Sequence, residues 1–334
     1  MLPVAVDAMG GDRAPEDIVA GAKRAAVELG VPVALVGRPE AIEAAGGAGD
    51  LEVIPASDVI TMDDDPASAV RQKKDASLNV AARAVRDGIA SAMVSAGNTG
   101  ATMGSALLRM GRIGGVARPA IATPLPRPAG GHPTVLLDAG ANAECQPAWL
   151  VQFAQMGAVF ARHRFGVEAP TVATLSIGEE KSKGDDLVKE THALLAADGG
   201  AALAAAGGRF IGNVEGRDLL TDAADVVVTD GFTGNVALKS LEGALKELVK
   251  AIFEAFGATE ETKAAADVLL PHLLPLYDVL DPNNTGGALL LGVDGVCIIS
   301  HGSSNDTAVV NAVRVAAEAV EADLVGKLRE AVGK

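Results

Sequence analysis

Glycine-rich loops that follow short apolar runs are the clearest candidates for chemistry in this 334-residue chain. Five segments combine glycine with Asn, Asp, Ser or Thr, at residues 7–12, 95–100, 138–142, 213–218 and 230–235. Glycine lets several backbone N–H groups converge on one anion, and a helix that follows adds the positive end of its dipole. One such loop is most simply a turn or a helix cap, but five of them predict a shared pocket that holds phosphate.

A further segment, residues 176–184, concentrates charge in the run Ser-Ile-Gly-Glu-Glu-Lys-Ser-Lys-Gly. It is either a solvated loop or a mobile lid whose Lys183 meets a phosphate or a developing oxyanion. His301 ends another apolar run, and it is either a structural residue beside a helix cap or a donor to phosphate.

Several common chemistries are disfavoured because their sequence patterns are missing. The first loop does not match GxGxxG and no GxxxxGK[ST] segment occurs, which argues against nucleotide binding by those mechanisms. No GxSxG elbow is present, Cys145 and Cys297 form no CxxC pair, and the histidines lack metal-ligand spacing. If the protein transfers an acyl group, the substrate must supply the nucleophile, a role that phosphate could fill.

The elements that position these loops follow from the alternation of short Val/Ile/Ala runs with longer helical stretches. Strands are predicted at residues 3–7, 33–37, 51–54, 92–95, 120–124, 134–138, 171–175, 209–212, 225–229 and 295–299. Helices are predicted from Pro15, at 78–90, after residue 100 to about 110, and at 147–163, 185–197, 234–256, 262–280 and 304–330. This order predicts a mostly parallel sheet covered on both faces, with ligands beyond the carboxyl ends of its strands.

Composition sets the protein's class and its compartment. The chain is 49% hydrophobic but only 3% aromatic, so its core must consist of Ala, Val, Leu and Ile. A formal charge of −15 repels nucleic acid backbones, and no nucleic acid partner is expected. The start lacks a secretory pattern and no apolar run approaches the roughly 18 residues of a membrane span, so a cytoplasmic protein is expected.

Seven motifs in order resemble those of the bacterial phosphate acyltransferases, the acyl-ACP:phosphate acyltransferases of phospholipid synthesis. The motifs occupy residues 6–15, 95–101, 137–142, 177–184, 212–218, 227–239 and 287–295. Each motif alone is weak, but together they cover the chain from about residue 3 to residue 320. Ser176 departs from the pattern, since the family has Asn before Ile-Gly-Glu-Glu, and this puts one hydrogen bond in doubt.

The resemblance implies a three-layer α/β/α fold similar to the phosphotransacetylase and isopropylmalate dehydrogenase group, with residues 1–334 as one catalytic unit. It implies transfer of a long-chain acyl group from acyl carrier protein to inorganic phosphate, in a homodimer with no metal or nucleotide cofactor. It also implies peripheral association with the inner face of the membrane, and the downstream glycerol-3-phosphate acyltransferase as a partner.

The candidate site residues follow from the resemblance together with the chemistry of the loops. The candidate catalytic residues are Lys183, Asn213, Asp230 and His301. The candidate substrate- and phosphate-binding residues are Asp7, Gly10, Gly11, Asp12, Ser95, Asn98, Thr99, Asp138, Asn142, Glu179, Glu180, Glu215, Gly231, Thr233, Gly234, Asn235 and Lys239. The acidic residues are expected to hold donor groups in place or to receive a proton.

Two surfaces are candidates for partners. Between Asn98 and Asp138 there is no acidic residue, and the arginines there form either a docking patch for acyl carrier protein or a scattered solvated face: Arg109, Arg112, Arg118 and Arg127. A second candidate patch holds Arg162 and Arg164. A helical hairpin at residues 234–280 is expected to serve in dimerisation or the core. Its tip is polar and acidic, so any membrane contact is expected on Phe253, Phe256 and residues 269–274.

Three other functions remain open from the sequence. The chain could be a short-chain phosphate acetyltransferase that uses coenzyme A, a metal-dependent decarboxylating dehydrogenase of the same fold group, or a non-catalytic scaffold docked to the membrane. Fold analogy alone does not decide among them.

Overall fold

The computed structural model describes residues 1–332, which form one continuous 11-stranded sheet with helices on both faces. The strands are β1 (Val4–Asp7), β2 (Val33–Gly37), β3 (Glu52–Pro55), β4 (Ala92–Ser95), β5 (Ala120–Leu125), β6 (Thr134–Leu137), β7 (Thr171–Leu175), β8 (Arg209–Val214), β9 (Val226–Val228), β10 (Ala288–Leu291) and β11 (Val296–Ile299). Their spatial order is β3-β2-β1-β4-β11-β10-β5-β6-β9-β7-β8.

The helices account for most of the remaining chain. They are α1 (Glu16–Leu29), α2 (Pro39–Ala44), α3 (Pro66–Gln72), α4 (Ser77–Arg86), α5 (Thr99–Arg109), α6 (Pro147–Phe165), α7 (Asp186–Ala196), α8 (Ala201–Ala204), α9 (Gly231–Phe256), α10 (Glu260–Leu280), α11 (Pro282–Thr285), α12 (Asp306–Glu321) and α13 (Leu324–Val332). No helix within residues 1–332 is long and apolar enough to cross a membrane.

Strand direction changes in the middle of the sheet. Strand β10 pairs antiparallel with both β11 and β5, and β5 pairs antiparallel with β6, whereas the other neighbouring pairs are parallel. Strands β1, β4, β11 and β5 therefore end at one edge, called the upper edge here, and β6, β9, β7 and β8 end at the opposite, lower edge. The predicted mostly parallel sheet is confirmed, with a reversal that the sequence pattern did not reveal.

Small aliphatic side chains fill both faces of the sheet, as the low aromatic content predicts. One cluster packs β-strand residues such as Val6 and Leu137 against α1, α6, α12 and α13. The other packs Ala5 and Leu136 against α3, α4 and α5. Adjacent residues of one strand thus belong to different clusters, as expected for a sheet that is buried on both faces.

The structure departs from the predicted elements at β10 and near Asp323, and it adds the short helices α2, α3, α8 and α11. Strand β10 was not predicted, because its four residues lie between Gly287 and Gly292 and leave too short a run for a pattern. The single helix predicted over residues 304–330 is two helices, since Asp323 has a φ of 48° in the left-handed region that interrupts a helix.

Helix α9 connects the two edges of the sheet. It begins beside β9 at the lower edge and runs back along the sheet. Lys239 lies about 12 Å along its axis from Gly231, at ~1.5 Å per residue, which matches the ~13 Å height of a four-residue strand. The rest of α9 therefore projects beyond the upper edge, and α10 returns from there to β10.

A buried ion pair fixes the loop between β5 and β6. Arg127, 7% exposed, donates to Asp225 Oδ1 at 3.2 Å, to Ala224 O at 2.8 Å and to Thr134 Oγ1 at 3.0 Å. Burial alone would raise the pKa of Asp225, but hydrogen bonds from the Thr171 amide and hydroxyl and from Arg127 outweigh it and lower that pKa. The pair joins the β5–β6 loop to β9 and β7.

Replacing Asp225 with Asn is expected to lower the free energy of unfolding by about 3 kcal/mol, because Arg127 would remain buried without its counter-charge. The lowered pKa means that the contribution is complete at pH 7 and pH 5 and is lost only as the pH falls below the ordinary value of 3.8. Urea unfolding of both proteins across pH 3–7 measures this. Asp294→Asn, which breaks the exposed pair with Arg329, should change little; an equal loss in both variants would contradict the assignment.

Candidate functional site

Three loops meet at the upper edge, after β1, β4 and β11. Ser95 Oγ donates to Asp7 Oδ2 at 2.7 Å, and the Gly97 amide donates to Ser95 Oγ at 3.0 Å. The Asp12 amide donates to the Gly302 carbonyl at 2.8 Å, so the first and last loops are also joined. These contacts bring together residues that lie almost 300 positions apart in the sequence.

Close packing of these loops explains their glycines. A Cβ atom built at Gly10 would lie 2.5 Å from Asp7 Oδ2 and 2.8 Å from the Gly97 nitrogen. Gly11 has a φ of 121°, which L-residues with a side chain rarely adopt. Backbone packing therefore requires the glycines of the Val-Asp-Ala-Met-Gly-Gly motif. The outer surface of these loops, called the rim here, presents backbone amides and carbonyls.

Asp7 lies beneath this rim and is 1% exposed. Burial raises the pKa of Asp7, against hydrogen bonds from Ser77, Ser95 and the Met9 amide that lower it. Its contacts are to the loops themselves, which agrees with the expected role of holding donors in place.

The loop after β4 presents the N-terminus of α5 at the same rim. Asn98 caps this helix by accepting from the Ala101 amide at 3.0 Å, and its side-chain amide donates to Met62 O at 3.2 Å. Thr99 is exposed at the first helical position. Because the cap is a neutral amide, the positive end of the helix dipole is not neutralised by a carboxylate.

His301 and Lys239 form a cationic corner beside these loops. Lys239 Nζ lies 3.1 Å from His301 Nε2 and 2.8 Å from Glu242 Oε2. His301 Nδ1 lies 2.8 Å from Ser303 Oγ and accepts from the Ser303 amide at 3.3 Å, so contacts on both ring nitrogens hold the imidazole in place. Both side chains are exposed, and their contact is where α9 from the lower edge meets the loop after β11.

At the lower edge, Asp138 organises the loop that follows β6. It is fully buried and accepts hydrogen bonds from Ile121 N, Gly140 N, Ala141 N, Asn142 N and Asn142 Nδ2, at 2.7–3.1 Å. Burial raises the pKa of Asp138 and these N–H donors oppose that rise. With both oxygens engaged, Asp138 holds the loop and does not face a substrate.

The start of α9 packs directly on this loop. The Gly231 amide donates to Asn142 O at 2.7 Å, and Asn235 Nδ2 donates to Ala139 O at 3.2 Å. A Cβ atom at Gly234 would overlap the Asp138 carbonyl, which explains that glycine. Asp230 caps α9 by accepting from the Thr233 amide at 2.8 Å and its hydroxyl at 2.7 Å. Asp230 therefore serves as a helix cap in this structure.

The charged segment 176–184 follows β7 at the lower edge. The exposed Lys183 side chain makes no hydrogen bond or ion pair with any described residue. Glu179 and Glu215 lie near Arg217, at 3.6 Å and 2.9 Å. The Ser176 hydroxyl is buried and has no partner within residues 1–332, so the position that departs from the family pattern is also one without a side-chain hydrogen bond.

Asn213 anchors this segment through a buried set of hydrogen bonds. Its Nδ2 donates to Glu180 O at 2.9 Å, and its Oδ1 accepts from Thr174 Oγ1 at 2.6 Å and lies 3.0 Å from His192 Nδ1. All its polar atoms are engaged, so Asn213 positions the charged segment. Sequence reasoning missed Thr174 and His192, which sit in ordinary strand and helix patterns without a local signal.

The predicted residues thus form two groups and not one pocket within a single chain. Asp7, Gly10, Gly11, Asp12, Ser95, Asn98, Thr99 and His301 lie at the upper edge with Lys239. Asp138, Asn142, Glu179, Glu180, Lys183, Asn213, Glu215, Asp230, Gly231, Thr233, Gly234 and Asn235 lie at the lower edge. The prediction of a shared pocket assumed that all carboxyl ends meet at one edge, and the reversal at β10 and β5 removes that condition.

The four arginines proposed for docking also divide. Arg127 is buried in its ion pair, and Arg109 donates to Asn79 Oδ1 at 3.0 Å and Val70 O at 3.1 Å, so both are held by the fold. Arg112 and Arg118 are exposed near the lower edge; Arg118 lies over the Trp149 ring at 4.9 Å, and Arg112 donates to Ala117 O. Only the latter two can meet a partner.

The predicted hairpin is present as α9 and α10, and its outer part is not core. In these two helices the buried residues are Gly231, Gly234 and Ala266. Exposed apolar side chains run along it: Leu248, Ile252, Phe253, Val268, Leu269, Leu273, Leu274, Leu276, Tyr277 and Val279. An apolar surface of this extent on one element is typical of a protein or membrane contact.

Known structures resemble this architecture. A phosphotransacetylase from Streptococcus pyogenes matches with a TM-score of 0.60 at 17% identity, covering 96% of this chain and 94% of that one. A phosphotransacetylase (EutD) from Staphylococcus aureus matches with a TM-score of 0.61, the same identity and the same coverage. These neighbours confirm the predicted fold group.

Sequence relatives are much closer. A family model described as "Fatty acid synthesis protein" matches residues 2–327. The chain is 47% identical over 335 residues to a protein named phosphate acyltransferase from Heliobacterium modesticaldum, covering 98% of this chain and 97% of that protein. It is 48% identical over 339 residues to one of the same name from Elusimicrobium minutum, covering 100% and 96%. The chain therefore belongs to the phosphate acyltransferase family of fatty acid synthesis proteins.

Proposed function

We propose that this protein transfers a long-chain fatty acyl group from acyl carrier protein to inorganic phosphate, giving acyl phosphate for phospholipid synthesis. The observation that carries the proposal is the contact of Lys239 with His301 beside the loops after β1 and β4. There a cation and a ring nitrogen stand next to a neutral helix N-terminus, which is an arrangement suited to phosphate.

The upper edge is the better place for phosphate of the two. At the lower edge the N-terminus of α9 is capped by the Asp230 carboxylate, so an anion there would meet a negative charge. At the upper edge Asn98 is a neutral cap, Asp7 is buried beneath the loops, and Lys239, 2.8 Å from Glu242, supplies an ammonium group. Gly10 and Gly11 allow the loops after β1 and β4 to pack closely there.

The reaction joins one oxygen of phosphate to the thioester carbonyl carbon and then breaks the carbon–sulfur bond. Holding phosphate against the thioester supplies proximity, so no side-chain nucleophile is needed. The tetrahedral oxyanion requires aimed donors, for which the Lys183 ammonium and backbone N–H groups are suited. The thiolate is a fair leaving group because thiol pKa values lie near ~8.5, and His301 can return a proton to it.

The proposal also includes three partners: acyl carrier protein, a second copy of this chain and the membrane surface. Arg112 and Arg118 offer exposed positive charge to an acidic carrier protein near the lower edge. The exposed apolar hairpin is suited to a homodimer contact and to peripheral contact with the inner face of the membrane, where a downstream glycerol-3-phosphate acyltransferase would take the acyl phosphate. Lys183 of one subunit would then join the upper edge of the other.

Acyl phosphate should form when the protein is incubated with palmitoyl-carrier protein and phosphate, and Lys239→Met is expected to raise the KM for phosphate by tenfold or more. The reason is loss of the cation beside His301. Lys246→Met, two turns further along α9 and exposed, is the matched control and should leave the KM unchanged. Product formed from acetyl-CoA but not from acyl carrier protein would refute the long-chain assignment.

The placement of Lys183 is tested with mixed dimers. Co-expression of differently tagged Lys183→Ala and Lys239→Met chains, followed by purification of the heterodimer, should restore about half of wild-type activity if each site combines the two edges of different subunits. In that arrangement one site carries both changes and the other carries neither. Activity no higher than the mean of the two single variants would show that Lys183 acts within its own chain, or not at all.

A further inference from the structure

A cavity of about 300 Å³ lies at the base of the hairpin, outside the loops described above. Its walls come from the proline-rich β5–β6 loop, the end of α6, the end of α10 and the start of β10. Phe160, Phe165, Leu289, Val315 and Val279 supply apolar surface. Phe160 and Phe165 meet edge to face, with ring centroids 5.6 Å apart, and form a rigid side of the cavity.

The charges at the cavity are already paired. Arg127 is bound to Asp225, and Arg164 lies 2.6 Å from Glu318 Oε2 and over the Phe165 ring. Neither guanidinium group therefore needs an anionic ligand to balance its charge. The surface offered to a ligand is proline, aromatic and aliphatic carbon, which favours a hydrocarbon.

The cavity lies beside the upper edge, because the β5–β6 loop and Gly287, which line it, both lie at that edge. Gly287, which lines it, precedes β10, and a Cβ atom built there would lie 3.1 Å from Ser300 Oγ. Ser300 directly precedes His301. The wall of the cavity and the Lys239–His301 corner are therefore joined by consecutive residues of the chain.

The outer entrance is continuous with the apolar hairpin. Leu269, Leu273, Leu276 and Val279 follow one another at helical spacing along α10, and all are exposed. Val279, 47% exposed, is both the last of this stripe and part of the cavity wall. Val279 therefore joins the apolar surface of the hairpin to the wall of the cavity.

The geometry points to this cavity as the subsite for the methylene chain of the acyl donor, an inference that rests on the acyl transfer proposed above. A water molecule occupies about 30 Å³, and a methylene group is of similar size, so the cavity holds on the order of ten methylenes. Each methylene that enters is expected to tighten binding about three- to fourfold. Chain-length preference is then set by Val279, Leu289 and Val315.

Val279→Trp, which narrows the entrance, tests this assignment against Val27→Trp. Val27 is 85% exposed on α1, outside both the hairpin and the cavity, so this variant adds the same group to the protein surface away from the proposed dimer contact. For wild type and Val27→Trp, kcat/KM for acyl-carrier-protein donors should rise steeply from six to twelve carbons. For Val279→Trp it should equal wild type at six carbons and fall tenfold or more at twelve.

Calorimetric measurement of decanoate binding tests the same subsite without catalysis, and Val279→Trp should weaken that binding at least tenfold while Val27→Trp leaves it unchanged. Equal chain-length profiles for the two variants, or decanoate binding that neither alters, would overturn the inference. A shift of Val279→Trp from dimer to monomer with an unaltered profile would also overturn it, since a second copy would then occupy the cavity. Absence of acyl phosphate from every donor would instead refute the proposed function, with decanoate binding still readable.

Discussion

The reversal of strand direction at β10 and β5 is the constraint on which the arrangement of this protein depends. Two antiparallel strands in the centre of the sheet send the carboxyl ends of β1, β4 and β11 to one edge and those of β6, β7, β8 and β9 to the other. Loops with related composition are thereby separated by the height of the sheet. A long helix is needed to bring Lys239 from the lower edge to His301 at the upper edge.

The carboxylates of Asp7, Asp138 and Asp230 hold this arrangement together, and their contacts are to the protein itself. Asp138 accepts N–H groups from its own loop and from β5, Asp230 caps α9, and Asp7 holds Ser95. Each replaces hydrogen bonds that a tight loop cannot make with its own backbone. The groups left exposed beside these scaffolds include His301, Lys183 and Lys239, which an anionic substrate can use, together with the carboxylates of Asp12, Glu179 and Glu180.

The sequence predicted the parts of this structure that depend on local pattern. The hairpin was predicted at residues 234–280 from two long helical stretches, and its first helix begins three residues earlier, at Gly231, where Asp230 acts as the cap. The strand ends were recognisable because each apolar run stops at Gly, Asp or Asn. The direction of each strand was not recognisable, because a four-residue strand has the same apolar pattern whichever way it runs. Strand β10 is also bounded by glycines at both ends.

Contacts between distant residues were equally beyond the sequence. Nothing near Asn213 indicates that Thr174 and His192 will engage its side chain, and nothing near Arg127 indicates a partner at Asp225. The arginine therefore looked like a surface charge. Such pairings depend on which strands become neighbours, and the order of this sheet follows from packing along the whole chain.

The uninterrupted length of α9 has a mechanical consequence. Its first turn is fastened to the Asp138 loop, Lys239 lies about 12 Å from that attachment, and the helix continues for roughly 25 Å more at ~1.5 Å per residue. A stiff rod held at one end magnifies displacement along its length, so a given shift at the far end reaches Lys239 reduced to about one third. A contact made by the outer hairpin is therefore coupled, through the rigid helix α9, to the distance between Lys239 and His301.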